Sequence, residues 1–176
     1  MTTLVLTVIG DDRAGLVAAI ADVVDAHGGN WETSRLAELD GTFAGVVQVS
    51  VPSERVAALR EGLDALDGLL TVVVRTGSDG TESDGTGSDG AGRSVTLRVL
   101  GDDRPGIVRE VSSALRAHGL SIESMATETR DAAMAGGRLF EATAAVRVAD
   151  DAELDAAIGE LERIAADIQV DLLPAE

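Results

Sequence analysis

Apolar and polar positions recur along the chain with two periods, and each period names an element. The run Leu4-Val5-Leu6-Thr7-Val8-Ile9 is β-branched and apolar, which predicts a buried strand from Thr3 to Ile9. Leu16, Val17, Ile20, Ala21, Val23 and Val24 then recur at three- and four-residue spacing, the stripe of an amphipathic helix. That helix should stop at His27-Gly28-Gly29, where glycine can take the left-handed conformation that closes a helix. A strand is expected from about Asn30 to Leu39, a hairpin turn at Asp40-Gly41 and a returning strand from Phe43 to Val51. Pro52 ends it, having no amide hydrogen to give to a ladder. Ser53 is a natural N-cap for a second helix with Val56, Leu59, Leu63 and Leu66 along one face. Leu69 to Arg75 closes the series as a last strand, so the order is β-α-β-β-α-β, the split-βαβ, ferredoxin-like arrangement.

The pattern is then written a second time. Gly101-Asp102-Asp103-Arg104-Pro105-Gly106-Ile107-Val108 repeats Gly10-Asp11-Asp12-Arg13-Ala14-Gly15-Leu16-Val17 with six of eight positions identical, at an offset of 91 that also carries His27-Gly28 onto His118-Gly119 and Glu32 onto Glu123. Val95, Leu97 and Val99 alternate as a strand before the octet, a helix follows it to His118-Gly119, and a strand runs from Ser121 to about Thr129. There the copies diverge: the connection from Asp131 to Gly137 replaces the tight turn, and Phe140 aligns with Phe43, and Val146 with Val49, at an offset of 97, an insertion of six (97 − 91). Asp150 or Asp151 can cap a helix striped by Leu154, Ile158, Leu161 and Ile164, and Ile168, Val170 and Leu172 make the last strand. The fold class is therefore α+β, with two ferredoxin-like units, antiparallel sheets with helices on one face, expected to pack side by side. Their bounds are 1–75 and 94–176. Residues 76–93, in which Ser-Asp-Gly recurs three times, are too poor in apolar groups to offset the entropy of ordering and read as a flexible linker spanning roughly 25 Å. The spacing of Asp79, Asp84 and Asp89 in it matches neither an EF-hand loop nor a glycine-rich nonapeptide repeat, so no metal site is assigned.

Composition narrows the function classes. A net charge of −17 repels phosphate backbones and anionic lipid surfaces, which argues against direct nucleic-acid or membrane binding. With no cysteine there is no disulfide, thiolate nucleophile or cysteine zinc site, as suits a cytoplasmic protein. Met1 leads straight into a strand-like run, with neither a basic leader nor a long apolar stretch. Only Trp31, Phe43 and Phe140 are aromatic, too few for a stacking RNA platform. Units of about 75 residues bury a limited share of their surface and gain from a partner, which a homodimer would supply.

The octet carries the candidate chemistry. A strand passing through it into a helix leaves backbone amides free where the helix dipole favours an anion, and a carboxylate fits there. Gly15 or Gly106 lets a ligand approach the backbone, Pro105 suits the first helical position, and Asp12 or Asp103 is an acceptor suited to an ammonium group. Together they offer opposite ends for a zwitterion, a free amino acid. The bland alternative is that the aspartates cap the helices, the glycines ease a turn, and nothing binds. His27 and His118 sit at helix C-termini, where capping is the simpler role, and Met125 and Met134 read as filler or loop residues.

At this octet the chain resembles tandem ACT-domain proteins, and its layout of two such units with little else is similar to the glycine cleavage system transcriptional repressor family. The resemblance covers about residues 2–75 and 94–173. It implies a small-molecule-binding βαββαβ module in which effector amino acids bind near the first strand-to-helix turn, at an interface between neighbouring domains. Carried over, it points to Asp12, Arg13, Gly15 and Leu16, and to Asp103, Arg104, Pro105, Gly106 and Ile107, with Asn30 at a position where such domains place an asparagine against the ligand. Two departures make the copies unequal: Ala14 replaces the proline of the first octet, and Ser121 stands at the counterpart of Asn30. The second octet, with its proline, is the closer match. The function this implies is a non-catalytic sensor of glycine or another small amino acid, without cofactor, acting on transcription of amino-acid metabolism through a protein partner such as a transcription factor or a metabolic enzyme. The alternative is the regulatory subunit of a metabolic enzyme. ACT units are often fused to catalytic domains such as formyltetrahydrofolate deformylase, but two folds and a linker use every residue here.

Overall fold

The computed structural model describes residues 1–77, 92–131, 137–164 and 168–173. Most of the linker with its three aspartates, most of the long second hairpin connection and Met134 lie outside the described residues. Two compact units divide the chain, residues 1–87 and 88–176.

In the first unit β1 (Thr2–Asp11), α1 (Leu16–Ala26), β2 (Asn30–Leu39), β3 (Thr42–Val51), α2 (Val56–Asp64) and β4 (Thr71–Thr76) follow in the expected order. The sheet order is β2-β3-β1-β4, with every neighbouring pair antiparallel. Leu4, Leu6 and Val8 face inward from β1 and Val47, Val49 and Val51 from β3, and they share one cluster with Leu16, Ile20 and Val24 of α1 and Leu59 and Leu63 of α2. Both helices thus cover one face of the sheet. The second unit repeats this with β5 (Arg93–Asp102), α3 (Ile107–Ala117), β6 (Ser121–Asp131), β7 (Arg138–Val148), α4 (Asp151–Ile164) and β8 (Gln169–Leu173), in sheet order β6-β7-β5-β8. Its core includes Val95, Leu97, Val99, Val111, Leu115, Leu154 and Leu161. Register confirms both offsets at once, since Gly10 pairs with Phe43 and Gly101 with Phe140.

Local chemistry sets the turns. Asp40 and Gly41 both have positive φ, 49° and 74°, as a two-residue hairpin twisting with its strands requires. At the end of α1, Gly29 N–H donates to Val24 O and Gly28 N–H to Asp25 O, and at the end of α3 Leu120 N–H donates to Leu115 O and Gly119 N–H to Arg116 O. Each is a Schellman closure around a left-handed glycine, Gly28 at 68° and Gly119 at 73°.

Four expectations change. Ser53 does not cap α2: residues Ser53–Arg55 form a 3-10 turn ahead of it, and the Ser53 hydroxyl accepts from Thr2 Oγ1 at 3.0 Å. Pro105 stands outside α3, which begins at Ile107 with Gly106 at its N-cap. Val17 and Ile164 are exposed, so both helices bury narrower stripes, with Ala157 taking the inner place in α4. Leu172 is also half-exposed, near the end of its strand. Asp150 does cap α4, accepting from Ala152 N–H at 2.9 Å.

The open face of the second sheet carries a charged row. Arg98 Nε donates to Glu141 Oε1 at 2.5 Å, and Arg130 Nη2 lies 3.0 Å from Glu141 Oε2. The Arg98 guanidinium holds the Glu141 carboxyl below the usual carboxylate range, against a smaller opposing effect of burial. A depressed folded value means that the stabilisation is fully present above the unfolded carboxylate value of about 4.3 and is lost as pH falls through the lower folded value. Glu141→Gln is therefore expected to reduce stability at neutral pH and to flatten its decline between about pH 5 and pH 3. Urea melts followed by far-UV circular dichroism check this; parallel pH curves for variant and parent would contradict it.

Candidate functional site

Each octet forms the turn from the first strand of its unit into the following helix. In the first unit Asp12 N–H donates to Gly41 O at 2.8 Å, tying the turn to the neighbouring hairpin, and Gly15 takes φ 95° as the N-cap residue of α1. Asp103 N–H donates to Arg138 O at 2.8 Å in the same way, and Gly106 takes φ 93° at the N-cap of α3. A left-handed N-cap is a position that glycine fills without strain. Neither helix start has a side-chain cap hydrogen bond. The glycines thus serve the turn, as the bland alternative has it, and its other half finds no side-chain cap at either helix start among the described residues. Leu16 and Ile107 bury their side chains in the cores, so each can offer a ligand only its backbone. Pro105 is exposed.

The two arginines of the octets do different things. Arg13 Nη2 donates to the carbonyls of Gly68 and Leu69 at 3.0 Å each, holding the loop between α2 and β4. Beside it an open depression of about 280 Å³ is lined by Ile9, Gly10, Asp11, Arg13 and residues 67–71. Arg104 instead turns onto its own helix, with Nη1 donating to Glu110 Oε1 at 3.0 Å and Nη2 to Glu110 Oε2 at 2.6 Å. Sequence reasoning missed Glu110. The signal was available, because Arg109-Glu110 follow the second octet where Ala18-Ala19 follow the first.

Asn30 and Ser121 do not meet the octet of their own unit. Asn30 pairs with Ser50, and Ser50 with Thr3, whereas Asp11 pairs with Thr42 at the other end of the same strands. Eight residues of strand separate Thr3 from Asp11, about 26 Å. Ser121 pairs with Arg147, which in turn pairs with Ser94, again at the far end from Asp102. Asn30 also has a local partner: its Nδ2 donates to Glu32 Oε1 at 3.0 Å, and Ser50 Oγ donates to the same oxygen at 2.6 Å. These bonds, Ser50 first, hold the Glu32 carboxyl below its ordinary range. Glu32 sits where the β2–β3 register shifts, and Glu123 at the matching shift between β6 and β7, where it accepts from Ser94 Oγ at 2.7 Å and Arg147 Nε at 2.8 Å. The repeated glutamate thus pins a β-bulge.

Both histidines lie at the far ends of their eleven-residue helices from the octets, about 16 Å away. His27 Nδ1 donates to Val23 O at 2.7 Å, and His118 Nε2 lies 2.6 Å from Glu160 Oε2, joining α3 to α4. Met125 is partly exposed on β6. Among the described residues no helix is long and apolar enough to cross a membrane, and no three His, Cys, Asp or Glu side chains are grouped to hold a metal.

Two models of the ACT domain match the chain, one over residues 2–75 and one over residues 95–166. A crystal structure of an unknown protein from Galdieria sulphuraria is 28% identical and superposes with a TM-score of 0.80, covering 97% of this chain and 96% of the other. A structure provisionally named a glycine cleavage system transcriptional repressor is 20% identical, with a TM-score of 0.68 over 98% of this chain and 96% of the other, a likeness of fold. Comparison with curated proteins gives no match. Two antiparallel βαββαβ units, each matched by an ACT model over nearly its whole length, place the chain in the ACT-domain family as a tandem ACT protein.

Proposed function

We propose that the chain is a non-catalytic cytoplasmic sensor of glycine or another small amino acid, built of ACT units at 1–75 and 94–176 joined by residues 76–93. The observation that carries this reading is the uncapped helix start behind a left-handed glycine, with an aspartate three residues before that glycine, at the same place in both units. Backbone amides there suit a carboxylate, and Asp12 or Asp103 suits the ammonium group of the same molecule. Asn30 and Ser121 belong to such a site only where a second ACT unit supplies the octet. The fold shared with a structure named as a glycine cleavage repressor supports transcriptional control as the output. With a net charge of −17 the chain is unsuited to DNA, so that output runs through a protein partner.

A thermal-shift screen of the full chain against the twenty amino acids tests the reading. A ligand at 100 times its dissociation constant adds about 2.7 kcal/mol of stability, a readily measured rise in melting temperature. A folded sample that shifts with none of them rules the sensor out.

A further inference from the structure

The open faces of the two sheets carry opposite charges at matched places. On the first, Val5, Thr7 and Ile9 of β1 alternate with the buried Leu4, Leu6 and Val8 and so point away from the helices, together with Val46 of β3 and Val73 of β4. Ile9, Val46 and Val73 are exposed, and the charged residues on the rows of Val5, Thr7 and Ile9 are Arg35 and Arg75. Among the described residues neither arginine has a hydrogen-bond or ion-pair partner, although acidic side chains outnumber basic ones by 31 to 14. On the second face Arg98 is taken by Glu141, and Glu128 and Asp171 lie in its field without forming an ion pair of their own among the described residues. Asp171 accepts from Gln169 Nε2 at 3.3 Å. Between them Glu141 Oε2 is buried and accepts no hydrogen bond from the described residues, although Arg130 Nη2 lies 3.0 Å away, which leaves an acceptor for a donor docking on this face.

Register fixes the spacing of each pair. Arg35 lies in the row of Val46, Thr7 and Val73, and Arg75 lies one row away on the far edge strand. Glu128 lies in the row of Glu141, Leu100 and Gln169, and Asp171 again lies one row away on the far edge strand. Each pair is therefore separated by three strand spacings and two residues of strand, about 16 Å. Duplication does not account for the match, since Ala126 and Leu173 stand at the counterparts of the two arginines, and Ala37 and Val73 at those of the two acids.

We infer that the open face of the first sheet docks on the open face of the second sheet in another copy of this chain, with Arg35 and Arg75 against Glu128 and Asp171. The apolar side chains of the first face supply the burial, and the four charges set the orientation and exclude wrong pairings. Two first faces together would crowd four arginines into one contact, and two second faces would bring together four carboxylates, so the mixed pairing is the complementary one. No octet residue takes part in the charge pairing, so the contact stands or falls apart from the sensor reading.

Sedimentation equilibrium of the full chain measures its self-association. The double variants Arg35→Glu/Arg75→Glu and Glu128→Lys/Asp171→Lys should each weaken it by about tenfold or more, because like charges then face each other. Mixing the two double variants should restore association to within about threefold of the parent, since in a mixed pair every first face meets a second face of opposite charge. Far-UV circular dichroism shows that each variant is folded. Should the lysine variant fail to fold, Glu128→Gln/Asp171→Asn takes its place, with association expected to weaken by about threefold. A parent that stays monomeric at about 1 mM overturns the inference. So does a self-associating parent whose association either folded double variant leaves unchanged. Folded double variants that stay apart when mixed overturn it as well.

Discussion

Replacing Gly45 by alanine lowers the stability of the first unit by about 3 kcal/mol, the upper end of what overpacking costs. A Cβ at this position would lie 2.1 Å from Arg35 O, 2.8 Å from Leu36 Cα and 2.9 Å from Leu36 Cδ2. The first two atoms are backbone of β2, so relief requires the strand itself to move and not a side chain to rotate. Gly45 pairs with Leu36 on one side and Val8 on the other, and Leu36 packs against the core through the space a side chain at 45 would need. The second unit solves the same position the other way round. There Ala142 is buried opposite an exposed Thr127, so a methyl fills the volume that a leucine fills in the first unit. Trp31 is the only tryptophan in the chain and packs against the first core, so its fluorescence reports on that unit alone. The expected result is a lower urea midpoint by Trp31 fluorescence. Ala142→Gly should cost the second unit only about 1 kcal/mol, read by far-UV circular dichroism. An unchanged Trp31 midpoint in Gly45→Ala would mean that β2 yields without cost.

Elements whose cause is local were legible in the sequence. Asn30 to Leu39 is a strand within the expected bounds because its ends are chemical, a helix-closing glycine pair before it and an Asp-Gly turn after it. The same holds for His118-Gly119 and for the cap at Asp150. Ser53 was misread because a hydroxyl before an apolar stripe signals a cap, whereas its partner is Thr2, 51 residues away. Pro105 was misread because the left-handed glycine after it, and not the proline, marks where α3 begins. The octets were found by repetition, but repetition concealed their difference. Identical arginines at 13 and 104 take different partners because of residues that follow each octet, Ala19 in one unit and Glu110 in the other. Asn30 follows the octet in the order of the chain but not in space. Since β2 runs in the same direction as β1, its start lies at the opposite end of the sheet.

On the proposed sensor reading, Asp12→Asn is expected to weaken amino-acid binding by about 1.5–3 kcal/mol, roughly tenfold to a hundredfold in dissociation constant, and Asp103→Asn to weaken it less. The asymmetry follows from what each aspartate already meets. In the proposed site the amides at the start of α1 would take the carboxylate end of the ligand, and the acidic side chains that the first octet itself brings to the ammonium end are Asp11 and Asp12. Asparagine keeps the size and the acceptor oxygen of Asp12 but removes the charge, so a charge-assisted bond becomes a neutral one. The fold is not at stake, because Asp12 is exposed and holds the turn through its backbone N–H to Gly41 O, which the substitution leaves in place. Asp103 has the same backbone bond, to Arg138 O, but its carboxylate also has a cationic neighbour, with Oδ2 3.8 Å from Arg138 Nε. Calorimetric titration of both variants against the amino acid giving the largest thermal shift distinguishes the outcomes. Equal losses for Asp12→Asn and Asp103→Asn would show two working octets, and no loss for either would show that the aspartates are turn residues and that the ligand is held elsewhere.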